Sequence, residues 1–237
     1  MSKKVIIIGN GIAGTTCARH IRKQSDFEIT VISSESKYFY SRTALMYIYM
    51  GHMKQEHTQP YENYFWEKNR INLLQEHVQK IEPSQNFIVL NNGIKMQYDY
   101  LVIATGSNSN KFGWPGEDLQ GVQGLCNLQD LQTMQENTVG IEHAVVVGGG
   151  LIGIETVEML LSRNIKVSFL IREKSFWDAV LPTEESEMIN KLIKLHHVDL
   201  QLETELKEIK ADSNGKVSSI ITSKGEEIKC GFVALTV

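Results

Sequence analysis

Two stretches of this sequence share one pattern, an apolar run that ends in a glycine-dense turn. Residues 3–14 read KKVIIIGNGIAG and residues 143–155 read HAVVVGGGLIGIE. In each, glycines spaced G-x-G-x-x-G follow a β-branched run that predicts a strand, and precede apolar residues at helical spacing. This context predicts a strand–turn–helix–strand unit of the Rossmann type, with the phosphates of a dinucleotide at the helix N-terminus. Two copies predict two dinucleotide sites.

The first copy contains the further feature that such a unit needs. Gly9, Gly11 and Gly14 open a helix predicted at 12–23, and the run EITVI predicts the next strand. A carboxylate about 20 residues beyond the turn binds the ribose hydroxyls of a dinucleotide. Glu35 stands at that distance.

The second copy is less clear at the corresponding position. Its glycines are Gly148, Gly150 and Gly153. A helix is predicted at 151–162 and a strand at 166–171, and the ribose position holds Ile171 or Arg172, with Glu173 beyond. Arg172 suits a 2′-phosphate and Glu173 suits ribose hydroxyls, so the sequence leaves NADPH and NADH both open.

Composition excludes several other classes. The chain has 237 residues, 42% hydrophobic and 22% charged, with a net charge of −4, which argues against nucleic-acid or anionic-membrane partners. Its three cysteines are irregularly spaced, which disfavours disulfide or zinc frameworks. No run is long enough to span a membrane and no secretory signal is visible, so we expect a cytoplasmic protein.

The remaining patterns predict an α/β fold of two Rossmann-like three-layer domains. A Gly/Asn/Ser-rich stretch places the boundary so that the domains are 1–112 and 113–237. Short helices are predicted within 36–70, then alternating strands ending in a buried strand, YLVIATG. Further helices are predicted at 128–138 and 184–196, and strands at 199–203, 206–211, 217–223 and 226–235. Because the last predicted element is an apolar strand, we expect a missing continuation.

Five stretches in this order resemble the pyridine nucleotide-disulfide oxidoreductase superfamily: VIIIGNGIAG, FYSRTALMYIYMG, YDYLVIATGS…WPG, VVVGGGLIGIE and FLIREKSFW…LP. The loop at 38–51 is most similar to those of rubredoxin reductases, ferredoxin reductases and the flavin-binding part of the nitrite reductase large subunit. The resemblance implies an FAD domain followed by an NAD(P)H domain. It also implies a homodimer of the full-length parent.

The resemblance implies a role for each matched position. Glycines bind pyrophosphate, Glu35 the adenosine ribose, Ser41 and Arg42 the region near the isoalloxazine, and Val78 the adenine end. Glu155 lies near the nicotinamide or is a solvated residue on a helix face. The FAD positions are Gly9, Gly11, Ile12, Ala13, Gly14, Glu35, Ser41, Arg42, Val78, Ala104, Thr105 and Gly106, and the NAD(P)H positions are Gly148, Gly150, Leu151, Ile152, Gly153, Glu155, Arg172 and Glu173.

Two departures from the superfamily pattern affect the expected function. The loop at 40–50 has no cysteine, which argues against thiol or disulfide chemistry at the flavin, and Tyr47 stands near the place of a flavin-side lysine. The family also returns to its FAD domain after the position of Val237 and then adds an interface domain. We therefore expect the amino-terminal part of a longer enzyme, with the FAD domain incomplete at its C-terminal segment.

The expected function is that of an FAD-dependent NAD(P)H oxidoreductase. Hydride passes from nicotinamide to flavin, and electrons then pass to a rubredoxin- or ferredoxin-like protein, a fused reductase domain, a quinone or oxygen. The alternatives are a non-catalytic nucleotide-binding module and a flavin monooxygenase. The sequence identifies no catalytic residue, and His196 and His197 beside Asp199 do not form a converging metal site.

Overall fold

The computed structural model describes residues 2–237, which divide into two compact units. The first unit comprises the residues up to Ile48 together with Met53–Ser107. The second comprises Tyr49–His52 together with Asn108–Val237. The division after Ser107 lies in the glycine- and asparagine-rich stretch, slightly before the predicted boundary at 112.

The first unit begins with the predicted strand, glycine turn, helix and strand. Its helices are α1 (Ile12–Gln24), α2 (Leu45–Tyr49, of which Tyr49 groups with the second unit) and α3 (Tyr64–Lys68). Short 3-10 turns cover Arg42–Ala44, Gln55–Thr58 and Pro83–Gln85. Its strands are β1 (Lys4–Ile8), β2 (Glu28–Ser33), β3 (Ile71–Gln75), β4 (Val78–Glu82), β5 (Phe87–Leu90), β6 (Lys95–Gln97) and β7 (Tyr100–Ile103).

The first unit has three layers around a parallel sheet of order β3-β2-β1-β7. Alternate residues of β1 point to opposite faces of this sheet. Ile7 packs in a cluster with Ala18 of α1, whereas Ile6 packs in another with Ile88 of β5, in the antiparallel sheet β4-β5-β6. Burial on both faces explains why β1 is a continuous apolar run rather than an alternating one.

The last strand of the first unit corrects one prediction. YLVIATG was predicted to be a buried strand, but β7 is an edge strand that pairs with β1, and Ile103 is 63% exposed. An edge strand has a sheet neighbour on one side, so its apolar residues need not be covered. Apolar content alone does not distinguish the two cases.

The second unit repeats the arrangement with a larger sheet. Its helices are α4 (Leu128–Asn137), α5 (Leu151–Leu161) and α6 (Thr183–Leu195). Its strands are β8 (Val122–Gln123), β9 (His143–Val147), β10 (Lys166–Ile171), β11 (Asp199–Leu202), β12 (Leu206–Ala211), β13 (Val217–Thr222), β14 (Glu227–Lys229) and β15 (Phe232–Leu235). The strand order is β11-β10-β9-β15-β8, with every pairing parallel.

A second sheet, β12-β13-β14, completes the layers of this unit. Val145 and Val147 of β9 share a buried cluster with Ile209 and Ile220 from that antiparallel sheet, and Val157 of α5 is buried as well. The predicted α/β class, with two Rossmann-like three-layer units, is thereby confirmed.

The prediction of a single strand at 226–235 is wrong, because the structure has two strands there, β14 and β15. β14 pairs antiparallel with β13, whereas β15 lies parallel to β9 in the larger sheet. At the break, the Gly231 N–H donates to the His143 carbonyl at 3.0 Å, and a Cβ there would lie 2.5 Å from the end of the Ile141 side chain. Within residues 2–237 no helix combines the length and apolar character needed to cross a membrane.

Candidate dinucleotide-binding sites

The three glycines of the first turn have different surroundings. Gly9 has φ +107°, and a Cβ there would lie 2.1 Å from the Ala104 carbonyl oxygen. A Cβ on Gly14 would lie 1.9 Å from the Gly9 carbonyl oxygen, so only glycine lets the helix approach the turn so closely. Around a Cβ on Gly11, by contrast, no described atom lies within 4 Å. Gly11 thus leaves an open face on which a ligand could approach the backbone.

The helix that follows Gly11 presents a free N-terminus. Helix α1 starts at Ile12, and its first turn contains no acidic side chain. The Thr15 amide donates to the Gly11 carbonyl at 2.9 Å, so the preceding amides point beyond the helix end. Ile12 is 70% exposed at this end. These amides and the helix dipole favour an anion such as a pyrophosphate.

The loop after β2 places Glu35 beside two residues of the next loop. The Glu35 side chain is only 16% exposed, and it accepts hydrogen bonds from the Tyr40 hydroxyl and from both Nη atoms of Arg42, at 2.7 and 3.2 Å. Asn10 in the glycine turn donates to the Ser36 carbonyl at 2.7 Å and fixes this loop against the turn. The structure therefore joins Glu35 and Arg42, which the family resemblance assigned to different parts of a cofactor.

The other positions assigned to FAD lie in four places. The Ala104 amide donates to the Ile8 carbonyl at 2.8 Å, which holds the exposed Thr105 and Gly106 next to the glycine turn. Ser41 lies in the loop before α2, where its hydroxyl is 3.1 Å from that of Thr43. Val78 is the first residue of β4, in the smaller sheet, and Ala13 is an exposed residue at the start of α1.

The second glycine turn has the same construction. Gly148 has φ +114°, and a Cβ there would lie 2.8 Å from the Thr236 carbonyl oxygen. A Cβ on Gly153 would lie 2.0 Å from the Gly148 carbonyl oxygen. Near Gly150, no described atom falls within 4 Å of the Cβ position. Leu151 and Ile152, at the start of α5, are exposed.

A cavity of about 680 Å³ opens beside this second turn. Its volume lies within the usual range of small-molecule sites, about 300–1,000 Å³. The glycine turn, the ends of β9 and β10, the loop after β10 and the segment after β11 form its walls. Two tryptophans, Trp114 and Trp177, line it, whereas Glu155 on α5 is not among its lining residues.

The end of β10 holds the three residues that the sequence offers for the ribose position. Ile171 is 1% exposed, packs against Gly149 and is not among the residues that line the cavity. Arg172 and Glu173 both line the cavity, and the Arg172 Nε donates to Glu173 Oε1 at 2.7 Å. This hydrogen bond, together with the carboxylate charge, raises the pKa of the Arg172 guanidinium. The two charged candidates thus form one pair.

A buried polar network supports the next part of the cavity wall, and the sequence did not predict it. The Asn190 side chain on α6 accepts from the Phe176 amide at 3.1 Å and donates to Ser175 Oγ at 2.6 Å. Ser186, which contacts Ser175 Oγ, donates to the Phe176 carbonyl at 2.6 Å. Trp177 follows with φ +58°, an uncommon conformation for a bulky residue, and stacks on Phe176. The sequence did contain one signal of this network, because hydrophilic residues interrupt the apolar periodicity of α6.

Other clusters of reactive side chains do not make a site. No group of three or more His, Cys, Asp or Glu residues within 2–237 could bind a metal ion. Ser168 contacts His143 Nε2 at 3.0 Å and donates to Asp199 at 2.7 Å. This is not a nucleophilic triad, because Ser168 is fully buried and lies between the other two side chains, where a triad has its histidine. Burial raises the pKa of the Cys230 thiol to about 12, so this cysteine is not a thiolate.

Comparisons with known proteins agree with this geometry. The family model described as pyridine nucleotide-disulphide oxidoreductase matches residues 3–237. The chain is 32% identical over 220 residues to an NADH oxidase of Methanocaldococcus jannaschii, covering 87% of this chain and 48% of that protein. It is 24% identical to a rubredoxin-NAD(+) reductase of Pseudomonas putida, covering 97% of this chain and 60% of that protein.

A solved structure shows the same fold. A ferredoxin reductase from Rhodopseudomonas palustris superposes with a TM-score of 0.91 at 22% identity, over 100% of this chain and 59% of that chain. The chain thus spans between 48% and 60% of the length of these three relatives. Because the family model covers nearly every residue, the chain belongs to the pyridine nucleotide-disulphide oxidoreductase family.

Proposed function

We propose that this chain is the dinucleotide-binding part of a flavin-dependent NAD(P)H oxidoreductase, with FAD bound by the first unit and NADH or NADPH by the second. The observation that carries the proposal is the duplicated turn: in each unit two glycines are required by close backbone contacts and the middle one is left open. Proteins of the family are NAD(P)H-dependent flavin oxidoreductases.

The first unit has the groups that an adenine dinucleotide requires. The open face of Gly11 and the free N-terminus of α1 suit the pyrophosphate. Glu35, which accepts hydrogen bonds from Tyr40 and Arg42 and so is held beside the turn, is the carboxylate that we assign to the ribose hydroxyls. We assign FAD to this unit.

The second unit offers the same pyrophosphate site and a cavity beside it. Gly150 and the N-terminus of α5 correspond to Gly11 and α1. The cavity continues from this turn toward Arg172, Glu173 and Trp177, which gives the rest of a dinucleotide a place to lie. We assign NADH or NADPH to this unit, with Glu155 on α5 near the nicotinamide.

The proposed acceptor is a small electron-transfer protein. Bound FAD would supply the chemistry, which is the acceptance of a hydride from the nicotinamide and the release of electrons to an acceptor. Two of the similar proteins are named for rubredoxin or ferredoxin. The segment 40–50 contains no cysteine, so it cannot supply the thiol that disulfide chemistry needs.

Two substitutions test the assignment of the two sites. Gly11 and Gly150 have extended backbone, with φ −66° and −84°, so a valine at either position causes no left-handed strain. Gly11→Val should abolish FAD binding and leave NADH binding intact, and Gly150→Val should do the reverse, because each side chain fills one open face. FAD binding is measured by the flavin absorbance that stays with the protein after gel filtration. NADH binding is measured by quenching of the fluorescence of Trp114 and Trp177.

Each variant is the control for the other, and circular dichroism verifies that both fold. Retained binding of both ligands by both variants would contradict the assignment of the two turns. Binding of neither ligand by the unmodified chain would contradict the proposed function. The acceptor is tested by comparing the rates at which NADH reduces rubredoxin, ferredoxin, a quinone and oxygen. The proposed acceptor is wrong if only the quinone and oxygen are reduced.

A further inference from the structure

We propose that the second unit selects NADH over NADPH, with Glu173 binding the ribose hydroxyls of the adenosine half. This inference rests on the proposed function, because it requires that the cavity hold a nicotinamide dinucleotide. The two cofactors differ by a 2′-phosphate on the adenosine ribose, so the charges at the ribose position decide between them.

The backbone around the ribose position is held in place. The Thr204 amide donates to the Ile171 carbonyl, and the Glu203 amide donates to the Glu173 carbonyl, both at 3.0 Å. Arg172 lies between these two anchored residues, so the pair that it forms with Glu173 is presented from a fixed segment. A preorganised carboxylate binds hydroxyl groups without first paying for its own ordering.

The positive charge of Arg172 is already compensated. Its Nε donates to Glu173 Oε1 at 2.7 Å, and its pKa is raised first by that hydrogen bond and additionally by the attraction of Glu205. A guanidinium that already donates to a carboxylate gains less from a phosphate than one without a partner, because the phosphate must compete with that carboxylate. The remaining carboxylate lone pairs of Glu173 suit neutral hydroxyl donors.

The rest of the cavity strengthens this preference. Its charged lining residues are Arg172 on the positive side and Glu173, Asp178 and Glu205 on the negative side. A 2′-phosphate adds about two negative charges beside this acidic surface. The ribose hydroxyls of NADH bring none, so NADH avoids the repulsion that NADPH meets.

Fluorescence titration of the full 237-residue chain with NADH and with NADPH tests the inference, because Trp114 and Trp177 line the cavity and report occupancy. We expect NADH to bind on the order of 10-fold more tightly at low ionic strength, since juxtaposed like charges are costly. The gap should narrow as salt rises from about 50 to about 500 mM, because salt screens exposed charges.

Two variants and a matched control isolate the carboxylates. Glu173→Gln should weaken NADH binding about 10-fold, and Glu173→Gln combined with Glu205→Gln should strengthen NADPH binding by a similar factor. Glu187→Gln removes an exposed carboxylate on α6 outside the cavity lining and should change neither affinity. Circular dichroism verifies that each variant is folded.

The outcomes separate this inference from the function on which it rests. NADPH binding as tightly as NADH, or more tightly, would overturn the selectivity while leaving the dinucleotide site in place. A Glu173→Gln variant with unchanged NADH affinity would overturn the role of Glu173. Binding of neither cofactor would overturn the proposed function and the selectivity together.

Discussion

Replacing Asn190 by alanine should destabilise the second unit and loosen the wall of its cavity. The Asn190 side chain accepts from the Phe176 amide at 3.1 Å and donates to Ser175 Oγ at 2.6 Å, and Phe176 and Ser175 are both buried. Alanine leaves an amide donor without its partner and removes one hydrogen bond from a hydroxyl. An unsatisfied buried donor costs about 1–3 kcal/mol and an ordinary hydrogen bond about 1 kcal/mol.

The expected loss in the free energy of unfolding is therefore about 2–4 kcal/mol, measured by urea denaturation followed by circular dichroism. Lys191→Ala is the matched control, because Lys191 is the exposed next residue of the same helix and lies outside the network. Trp177 directly follows Ser175 and Phe176, which Asn190 holds in place. The Asn190→Ala protein should therefore also show altered tryptophan fluorescence under native conditions. A loss below about 0.5 kcal/mol, equal to that of the control, would refute the reasoning.

Three further changes follow from other contacts. Gly14→Ala places a Cβ 1.9 Å from a backbone carbonyl oxygen, so the first unit should unfold at lower urea concentration and FAD affinity should fall; an unchanged midpoint would contradict the close approach. Tyr49→Phe removes a 2.7 Å hydrogen bond to Thr138 in the second unit, at a cost of about 1 kcal/mol in urea denaturation. The pKa of the Cys230 thiol is raised from 9.0 to about 12. Between these two pH values the folded chain keeps the thiol proton, whereas the unfolded chain loses it. Stability should therefore fall as pH rises above 9.0, Cys230→Ala should reduce that slope, and a thiol reagent at pH 8 should label Cys230 only after unfolding.

Much of each Rossmann unit is predictable because its signals are local. The helix predicted at 12–23 is found at Ile12–Gln24, and that predicted at 151–162 is found at Leu151–Leu161. The glycine spacing identifies the turns because their geometry depends on residues within one strand, one turn and one helix. Gly9 and Gly148 have the positive φ angles that such turns need.

Predictions fail where pairing between distant segments decides the result. The break at Gly231 exists because β14 has a partner in one sheet and β15 has a partner in another. The exposure of Ile103 follows from the edge position of β7, which is set by strand order. Neither strand order nor sheet membership is encoded in the apolar content of one segment.

The sequence by itself determined the family, the class of fold and the two turns, because glycine spacing and apolar periodicity act over short ranges. Only the tertiary structure showed that Glu35 binds Arg42 and that Ile171 is buried. It also showed that Arg172 pairs with Glu173, and that Asn190 holds the loop before Trp177 in place. The network on Asn190 and the backbone hydrogen bonds that anchor Ile171 and Glu173 each unite residues from separate segments of the fold. Side-chain charge and hydrogen bonding act through space, so their partners become visible only after the chain has folded.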